Sequence, residues 1–297
     1  LIIASGSSLS APVQGADKPD VLQFKNLAGA RALRSMAAKG QQATAVILGG
    51  GFIGVEIALY LAKLGVRPTL LNRRGWIMPR LLDPDTAAYV WEDLSEQGVD
   101  VRLNTEGIEF GGQKGVDYLL TNGGEQLRAD AYIAATGVKP NTGFVQGTHI
   151  EMDEGVLVDD CLQTSRPGIF ACGDAAQARE LLSGERRVLG LYPVAVQQGW
   201  IAGKNALGRK QTYQPQPSMN SLKGLSFQLV VVGRQQGQEI VSKGRDWMHK
   251  FFVHEDKLRG FTLLGDISEA GRYLSLLKQQ RTLTTWGPGL MSAPCWQ

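Results

Sequence analysis

Thr44-Ala45-Val46-Ile47-Leu48-Gly49-Gly50-Gly51-Phe52-Ile53-Gly54-Val55-Glu56 is the stretch whose reading decides the fold. Its first five residues form an apolar run of strand length, closed by three consecutive glycines. Beyond them Ile53, Ile57, Tyr60, Leu61 and Leu64 recur at helical spacing. Gly65 ends that helix, and Val66 to Leu71 read as a second strand. Gly49-x-Gly51-x-x-Gly54 therefore stands between a strand and a helix, the setting in which such a hexad takes up a dinucleotide. The first glycine permits the tight turn, the second lets a pyrophosphate approach the backbone, and the third lets helix pack on strand. The helix N-terminus then faces the phosphates, with Phe52 and Ile53 completing the loop. A ligand-free glycine-rich turn is the competing reading, and the strand–loop–helix–strand order weighs against it.

Working outward, Asp83 and Asp85 are candidate N-caps of a helix running through Leu94 and stopping at Gly98. Val99 to Leu103 alternate as a strand. Phe110, Val116 to Thr121 and Gln126 to Arg128 read as short antiparallel strands, with Asn122-Gly123 as a hairpin turn. An apolar strand, Ala131 to Ala135, closes this region at Thr136-Gly137. Residues 43–137 thus make one nucleotide-binding-sized unit. Upstream, residues 1–7 read as a buried strand ending in small residues, a polar stretch runs from Pro12 to Pro19, and 27–39 as a helix. Downstream come a strand over Gly168 to Asp174, a helix from about Ala195 to Leu207, and a linker from Gln211 to Pro217. Strands follow over Phe227–Val232, Glu239–Ser242, Lys250–His254 and Leu258–Leu264, with Glu255-Asp256-Lys257 as a turn. A helix over Ile267–Gln279 follows, and Thr282 to Gln297 shows no strong pattern.

The chain's 297 residues fit two or three domains and are enough to bury a core. With 43% apolar and 20% charged residues the composition is globular. A formal charge of +3 is too balanced for a surface that tracks nucleic acid. No apolar run reaches the ~18 residues of a membrane span, and the opening Leu1-Ile2-Ile3-Ala4 lacks the basic start of a signal peptide. Cys161, Cys172 and Cys295 are too widely spaced for a disulfide framework or a zinc site, which reads as reduced thiols in a cytoplasmic protein. His149, His249 and His254 form no ligand cluster; alternation puts the last two on opposite faces of a strand, as structural or surface histidines.

The residues after the second strand, Asn72-Arg73-Arg74, bear on the dinucleotide taken. An acid there would bind the ribose 2′-hydroxyl of NAD, whereas two guanidinium groups can clamp the 2′-phosphate of NADPH with no adjacent carboxylate to repel it. This leans toward NADPH with dual use open; two solvated loop arginines are the alternative. Glu56 follows the phosphate turn closely, where a carboxylate beside pyrophosphate is unfavourable. It either points toward the nicotinamide end or is an ordinary first-turn acid favoured by the helix dipole.

Four elements occur together: Ile3-Ala4-Ser5-Gly6-Ser7, the glycine loop with Glu56, Tyr132-Ile133-Ala134-Ala135-Thr136-Gly137, and Thr164 to Ala175 with Pro167-Gly168-Ile169-Phe170-Ala171-Cys172-Gly173-Asp174 at its centre. In this order the chain resembles the FAD-dependent pyridine nucleotide-disulfide oxidoreductase superfamily, in the branch of rubredoxin and ferredoxin reductases, NADH oxidases and nitrite reductase flavoproteins. The likeness covers residues 1 to about 210 well and the remainder more loosely. It implies an α/β fold in which a Rossmann-like NAD(P) domain (41–140) is inserted within an incomplete FAD domain (1–40 and 141–213). A small α+β C-terminal domain (214–297) follows. Ser5-Gly6 and Gly137 would mark the crossings between the two nucleotide domains. Asp174 would bond the FAD ribityl chain, with Gly173 allowing close approach, and Tyr192-Pro193 would lie near the flavin pyrimidine edge. A helix N-terminus there favours negative charge on reduced flavin; simple helix-start packing is the alternative.

Three departures qualify the likeness. Ser5 stands where Thr is usual, Asn72 stands where NADH users carry Glu, and the N-terminal FAD glycine loop is missing, which fits a truncated sequence. The implied reaction is hydride transfer from NAD(P)H to FAD and electron delivery to a redox protein or small acceptor. No acid, base or catalytic cysteine is assigned, and a homodimer is compatible. The rival readings are a flavin-free Rossmann dehydrogenase and a non-catalytic nucleotide-binding or electron-transfer subunit.

Overall fold

The computed structural model describes residues 1–38 and 43–285, so Cys295 and most of the patternless tail lie outside the described residues. The chain forms two compact units, one of Leu9–Gly137 with Ser221–Leu229, the other of Leu1–Ser8, Val138–Asn220 and Val230–Gln297.

The first of these units is built on a five-stranded sheet in the order Val21–Leu22, Ala131–Ala134, Thr44–Leu48, Arg67–Asn72, Asp100–Leu103. Every neighbouring pair is parallel. Leu48 is level with both Leu71 and Ala134, so the strands that carry the glycine loop and its flanks end together. Thr44–Leu48 is buried from Ala45 onward, as a central parallel strand must be. The strand Val21–Leu22 lies just beyond the polar stretch Pro12 to Pro19, and its two-residue apolar run is too short for periodicity to show.

The helix Phe52–Lys63 buries Gly54, Val55, Ile57, Ala58, Leu59 and Leu61. Of the five residues that recur at helical spacing, Ile57 and Leu61 are buried, whereas Ile53, Tyr60 and Leu64 are 40%, 46% and 41% exposed. The buried residues also include Gly54 and Ala58, whose small size lets the helix axis approach the sheet. Asp83 caps the helix Pro84–Glu96, accepting from the Thr86 N–H at 3.1 Å, and Asp85 lies in its first turn. A meander of Gly107–Gly111, Tyr118–Thr121 and Gln126–Leu127 packs Phe110, Leu119 and Leu127 against Tyr132. In its turn Gly124, not Gly123, takes the positive φ (+81°).

In the other unit Ile2–Ile3 pairs in parallel with Phe170–Ala171. The expected buried strand over 1–7 is thus two residues long. Ile3 is 6% exposed but Ile2 is 40% exposed, because the pairing offers cover on one side only. The helix Tyr192–Ala206 packs beside the 3-10 turn Gly173–Ala175. Ala176–Arg179 and Arg186–Arg187 form a hairpin that the sequence pattern does not signal.

The C-terminal sheet runs in the order Met219–Leu222, Leu229–Gly233, Lys257–Leu264, Met248–His254, Gln238–Lys243. Glu255 and Asp256 turn its central hairpin with φ of 51° and 56°. The helix Ala270–Gln279 lays Tyr273, Leu276 and Leu277 on Phe251, Phe261 and Leu263. It starts three residues later than Ile267. His249 is buried with its Nε2 2.7 Å from the Asp266 carbonyl oxygen, while His254 is exposed.

Candidate functional site

The three motif glycines and their neighbour are each required for a different reason. Gly49 has φ of +118°, and a Cβ there would sit 2.5 Å from the Ala135 carbonyl oxygen. Gly54 faces the Gly49 carbonyl so closely that any Cβ would collide with it. Gly50, which the motif leaves open, abuts Asn72, whose Cβ would be 2.8 Å from an added methyl. Gly51 alone among the four has nothing within 4 Å of the position a Cβ would take. Gly51 is also the N-cap of the helix, with no side chain capping it. The first amides of the helix therefore carry no side-chain cap, the arrangement a helix N-terminus offers to an anion.

Asn72 is buried and its amide is committed to shaping the next turn. Nδ2 donates to the Arg74 carbonyl at 3.0 Å and to the Trp76 carbonyl at 2.6 Å. Arg73 and Arg74 are exposed on that turn. The sequence reading placed no carboxylate beside them, but Glu106 lies with Oε1 4.0 Å from Arg73 Nη1. Glu106 follows the next strand of the sheet, so only parallel pairing brings it near. As an exposed pair this contact is worth little.

Glu56 is in the second turn of its helix, not the first, so the dipole reading does not apply. Burial pushes its carboxyl above its ordinary value, an effect partly opposed by Lys223. A carboxyl with a raised folded-state pKa holds its proton more tightly in the folded chain. Its cost is absent at pH below the unfolded pKa and grows as pH rises through the folded one. Glu56→Gln is therefore expected to raise Tm at neutral pH, with the gain shrinking to nothing on acidification. A Gln variant less stable than wild type at pH 7.5 contradicts the assignment.

The second cluster lies in the other unit. Gly6 and Gly173 both have φ of +68°. The Gly173 N–H donates to Gln198 Oε1 at 2.8 Å, and Asp174 Oδ2 accepts from Ser7 Oγ at 2.5 Å. Asn141 ties the small-residue turn together. It accepts at its carbonyl from Ser5 Oγ at 2.7 Å, donates Nδ2 to the Ser5 carbonyl at 3.0 Å and donates N–H to the Gly6 carbonyl at 2.9 Å. The helix Tyr192–Ala206 begins at Leu191 without a side-chain cap; Tyr192 is exposed and Pro193 occupies its first turn.

Gly173, Asp174, Ser7 and the open helix start thus share this unit, and a carboxylate together with uncapped N–H groups suits a ligand that offers both hydroxyls and negative charge. Gly137, with φ of +140°, lies in the first unit, where its carbonyl accepts from the Ser10 N–H at 3.0 Å.

Ser7, Asn141, Gln198, Glu106 and Gly50 are the residues that sequence reasoning missed. Gly50, within the glycine run, and Asn141, directly after Pro140, carried turn signals. The others matter through partners 25 to 167 positions away or across the sheet. Cys172 is buried and its thiol is pushed up by that burial, which disfavours the reactive thiolate. Among the described residues no group of three or more His, Cys, Asp or Glu could hold a metal ion. No helix among them is long and apolar enough to cross a membrane.

A parallel sheet with an uncapped glycine-loop helix at the carboxyl end of its central strand defines an α/β, Rossmann-type dinucleotide-binding protein. Residues 1–199 match the family described as Pyridine nucleotide-disulphide oxidoreductase, and the chain belongs to that family of FAD- and NAD(P)H-dependent oxidoreductases. It is 29% identical to the assimilatory nitrate reductase electron transfer subunit of Bacillus subtilis (strain 168), over 96% of this chain and 37% of that protein. It is 31% identical to the rubredoxin-NAD(+) reductase of Pseudomonas putida, over 77% of this chain and 60% of that protein. The chain therefore spans between about a third and three fifths of the length of these relatives. In fold it is similar to an NAD-dependent persulfide reductase from A. fulgidus, with a TM-score of 0.88 at 22% identity over 96% of this chain and 57% of that one. A water-forming NADH oxidase from Lactobacillus brevis gives a TM-score of 0.86 at 23% identity, over 100% of this chain and 70% of that one.

Proposed function

We propose that this chain is part of an NAD(P)H-dependent flavoprotein reductase that delivers electrons to a protein-borne redox centre. The observation that carries the reading is the presence of two separate cradles, one in each unit. One is the glycine loop Gly49–Gly54 with its open helix start at Gly51. The other is Asp174 held by Ser7, in the unit that also carries the uncapped helix at Tyr192-Pro193. A flavin-free dehydrogenase has no use for the second. One relative, matched over 96% of this chain, is an electron transfer subunit, which supports a redox protein as acceptor.

Once bound, the nicotinamide supplies a hydride and the flavin accepts it. The chain's residues bind and orient. The helix amides after Gly51 would hold the pyrophosphate of the dinucleotide. Ser5 and Gly6, on the turn tied by Asn141, would let the flavin approach the backbone, and Asp174 would accept from hydroxyls of its side chain. The helix start at Tyr192-Pro193 would favour negative charge on the flavin ring. No side chain here needs to act as acid or base.

Anaerobic NADPH is expected to bleach the flavin absorbance of the purified full chain; a colourless protein that still binds NADPH contradicts the reading. Arg73 and Arg74 would read the 2′-phosphate. Replacing both with Ser is expected to raise Kd for NADPH by about tenfold or more, from the loss of charge-assisted hydrogen bonds, and to leave NADH nearly unchanged. Equal losses for the two dinucleotides remove the NADPH preference.

A further inference from the structure

The turn that leaves the strand Arg67–Asn72 is fastened to the glycine loop at both of its ends. At the first end Asn72 packs on Gly50, where an added Cβ would lie 2.8 Å from Asn72 Cβ and 2.9 Å from Asn72 Oδ1. At the second end Met78, with φ of +51°, donates its N–H to the Gly50 carbonyl at 2.7 Å. Residues 73–77 therefore leave the glycine loop and return to it. Arg73, Arg74 and Gly75 form the exposed crest of the turn, between buried Asn72 and buried Ile77 and Met78.

Two carbonyls of this turn point back at the Asn72 side chain. Nδ2 carries two hydrogens, and it donates to the Arg74 carbonyl at 3.0 Å and to the Trp76 carbonyl at 2.6 Å. The next strand supports the same turn from outside. The Asn104 N–H donates to the Arg74 carbonyl at 3.3 Å and the Thr105 N–H to the Asn72 carbonyl at 3.1 Å. A carboxamide is the side chain this arrangement needs. An aspartate of the same shape has no N–H to give, and it would set an anionic oxygen against two carbonyl oxygens. A carboxylate at the end of this strand is also the group that takes the ribose 2′-hydroxyl of NAD. Asn72 is 6% exposed and both of its donors are committed to the turn, so its work is on the backbone.

We propose that Asn72 sets the dinucleotide preference as a positioning residue: its carboxamide folds the 73–77 turn and so holds Arg73 and Arg74 beside the glycine loop for a 2′-phosphate. The inference rests on the dinucleotide reading of that loop and on the two arginines as readers of the phosphate. An acid at position 72 then does not create an NADH user; it opens the turn and removes the NADPH preference.

The test is calorimetric titration of the purified full chain with NADPH and with NADH, together with hydrogen exchange of the ligand-free chain. Asn72→Asp and Asn72→Ala are each expected to weaken NADPH about fivefold or more, the scale of one or two net hydrogen bonds, and to leave NADH within about twofold. Both should speed exchange of the Met78 and Asn104 amides. In an Arg73→Ser, Arg74→Ser background neither should weaken NADPH further, which a general structural role for Asn72 would not produce. An Asn72→Asp chain that tightens NADH with exchange unchanged makes this residue a ribose contact and overturns the inference. Unchanged NADPH affinity in both variants, or equal losses of NADPH and NADH, overturns it as well, and each of these outcomes leaves the dinucleotide site in place. A wild-type chain that binds neither NADPH nor NADH overturns the dinucleotide reading and this inference with it.

Discussion

Gly54→Ala is expected to lose both stability and dinucleotide binding, whereas Gly51→Ala loses binding and keeps the fold. The methyl added at Gly54 has no room, because the Gly49 carbonyl occupies its place. Relief requires the helix Phe52–Lys63 to move off the strand Thr44–Leu48. Overpacking of this kind costs about 1–3 kcal/mol, and it also displaces the amides that would face the phosphates. The methyl added at Gly51 meets nothing within 4 Å, and its φ of −83° is one any residue adopts. Its structural cost is that of Ala for Gly at an N-cap, under about 1 kcal/mol. Its methyl fills the space in front of the helix amides, so Kd for NADPH is expected to rise about tenfold or more, the scale of losing a charge-assisted hydrogen bond. Differential scanning calorimetry and NADPH titration of both variants separate the two effects. A Gly51→Ala chain that binds NADPH as wild type does places the pyrophosphate elsewhere.

Asp174→Ala is expected to yield a folded protein that retains little flavin. The carboxylate accepts from Ser7 Oγ and lies beside Gly173 at the start of a 3-10 turn. Loss of a charged acceptor from a ligand hydroxyl weakens binding by about 1.5–3 kcal/mol, which is tenfold or more in Kd. Ser7→Ala removes the hydroxyl that orients the carboxylate but leaves the charge, so it should weaken flavin less. The ratio of flavin absorbance to protein absorbance after purification and dialysis reports both. Full flavin content in Asp174→Ala removes this residue from the flavin site. The pair also distinguishes the two rival readings of the chain, since a dehydrogenase without flavin is indifferent to both substitutions.

The glycine loop, its strand and its helix were legible because their signals are local. A short apolar run, three glycines and a recurrence of apolar residues all lie within the span from Thr44 to Leu64. The caps at Asp83 and the turn at Glu255-Asp256 were legible for the same reason. Which residues of the helix are buried was not legible: Ile57 and Leu61 are buried but Ile53, Tyr60 and Leu64 are not, because periodicity registers large apolar residues while close packing also uses Gly54 and Ala58. The short strands Ile2–Ile3 and Val21–Leu22 exist only because a partner strand pairs with them. Two residues carry no period of their own.

The sequence by itself determined the class of protein. The strand–loop–helix order around Gly49, Gly51 and Gly54 allows few structures other than a nucleotide-binding sheet, since each glycine answers a constraint set within its own neighbourhood. Only the tertiary structure decided which side chains serve the two cradles. Ser7 meets Asp174 across 167 positions, and Glu106 reaches Arg73 from beyond the neighbouring strand. Such contacts depend on how sheet and helices bring distant segments together, and hydrogen bonds of this kind have no spacing in the chain from which they could be read.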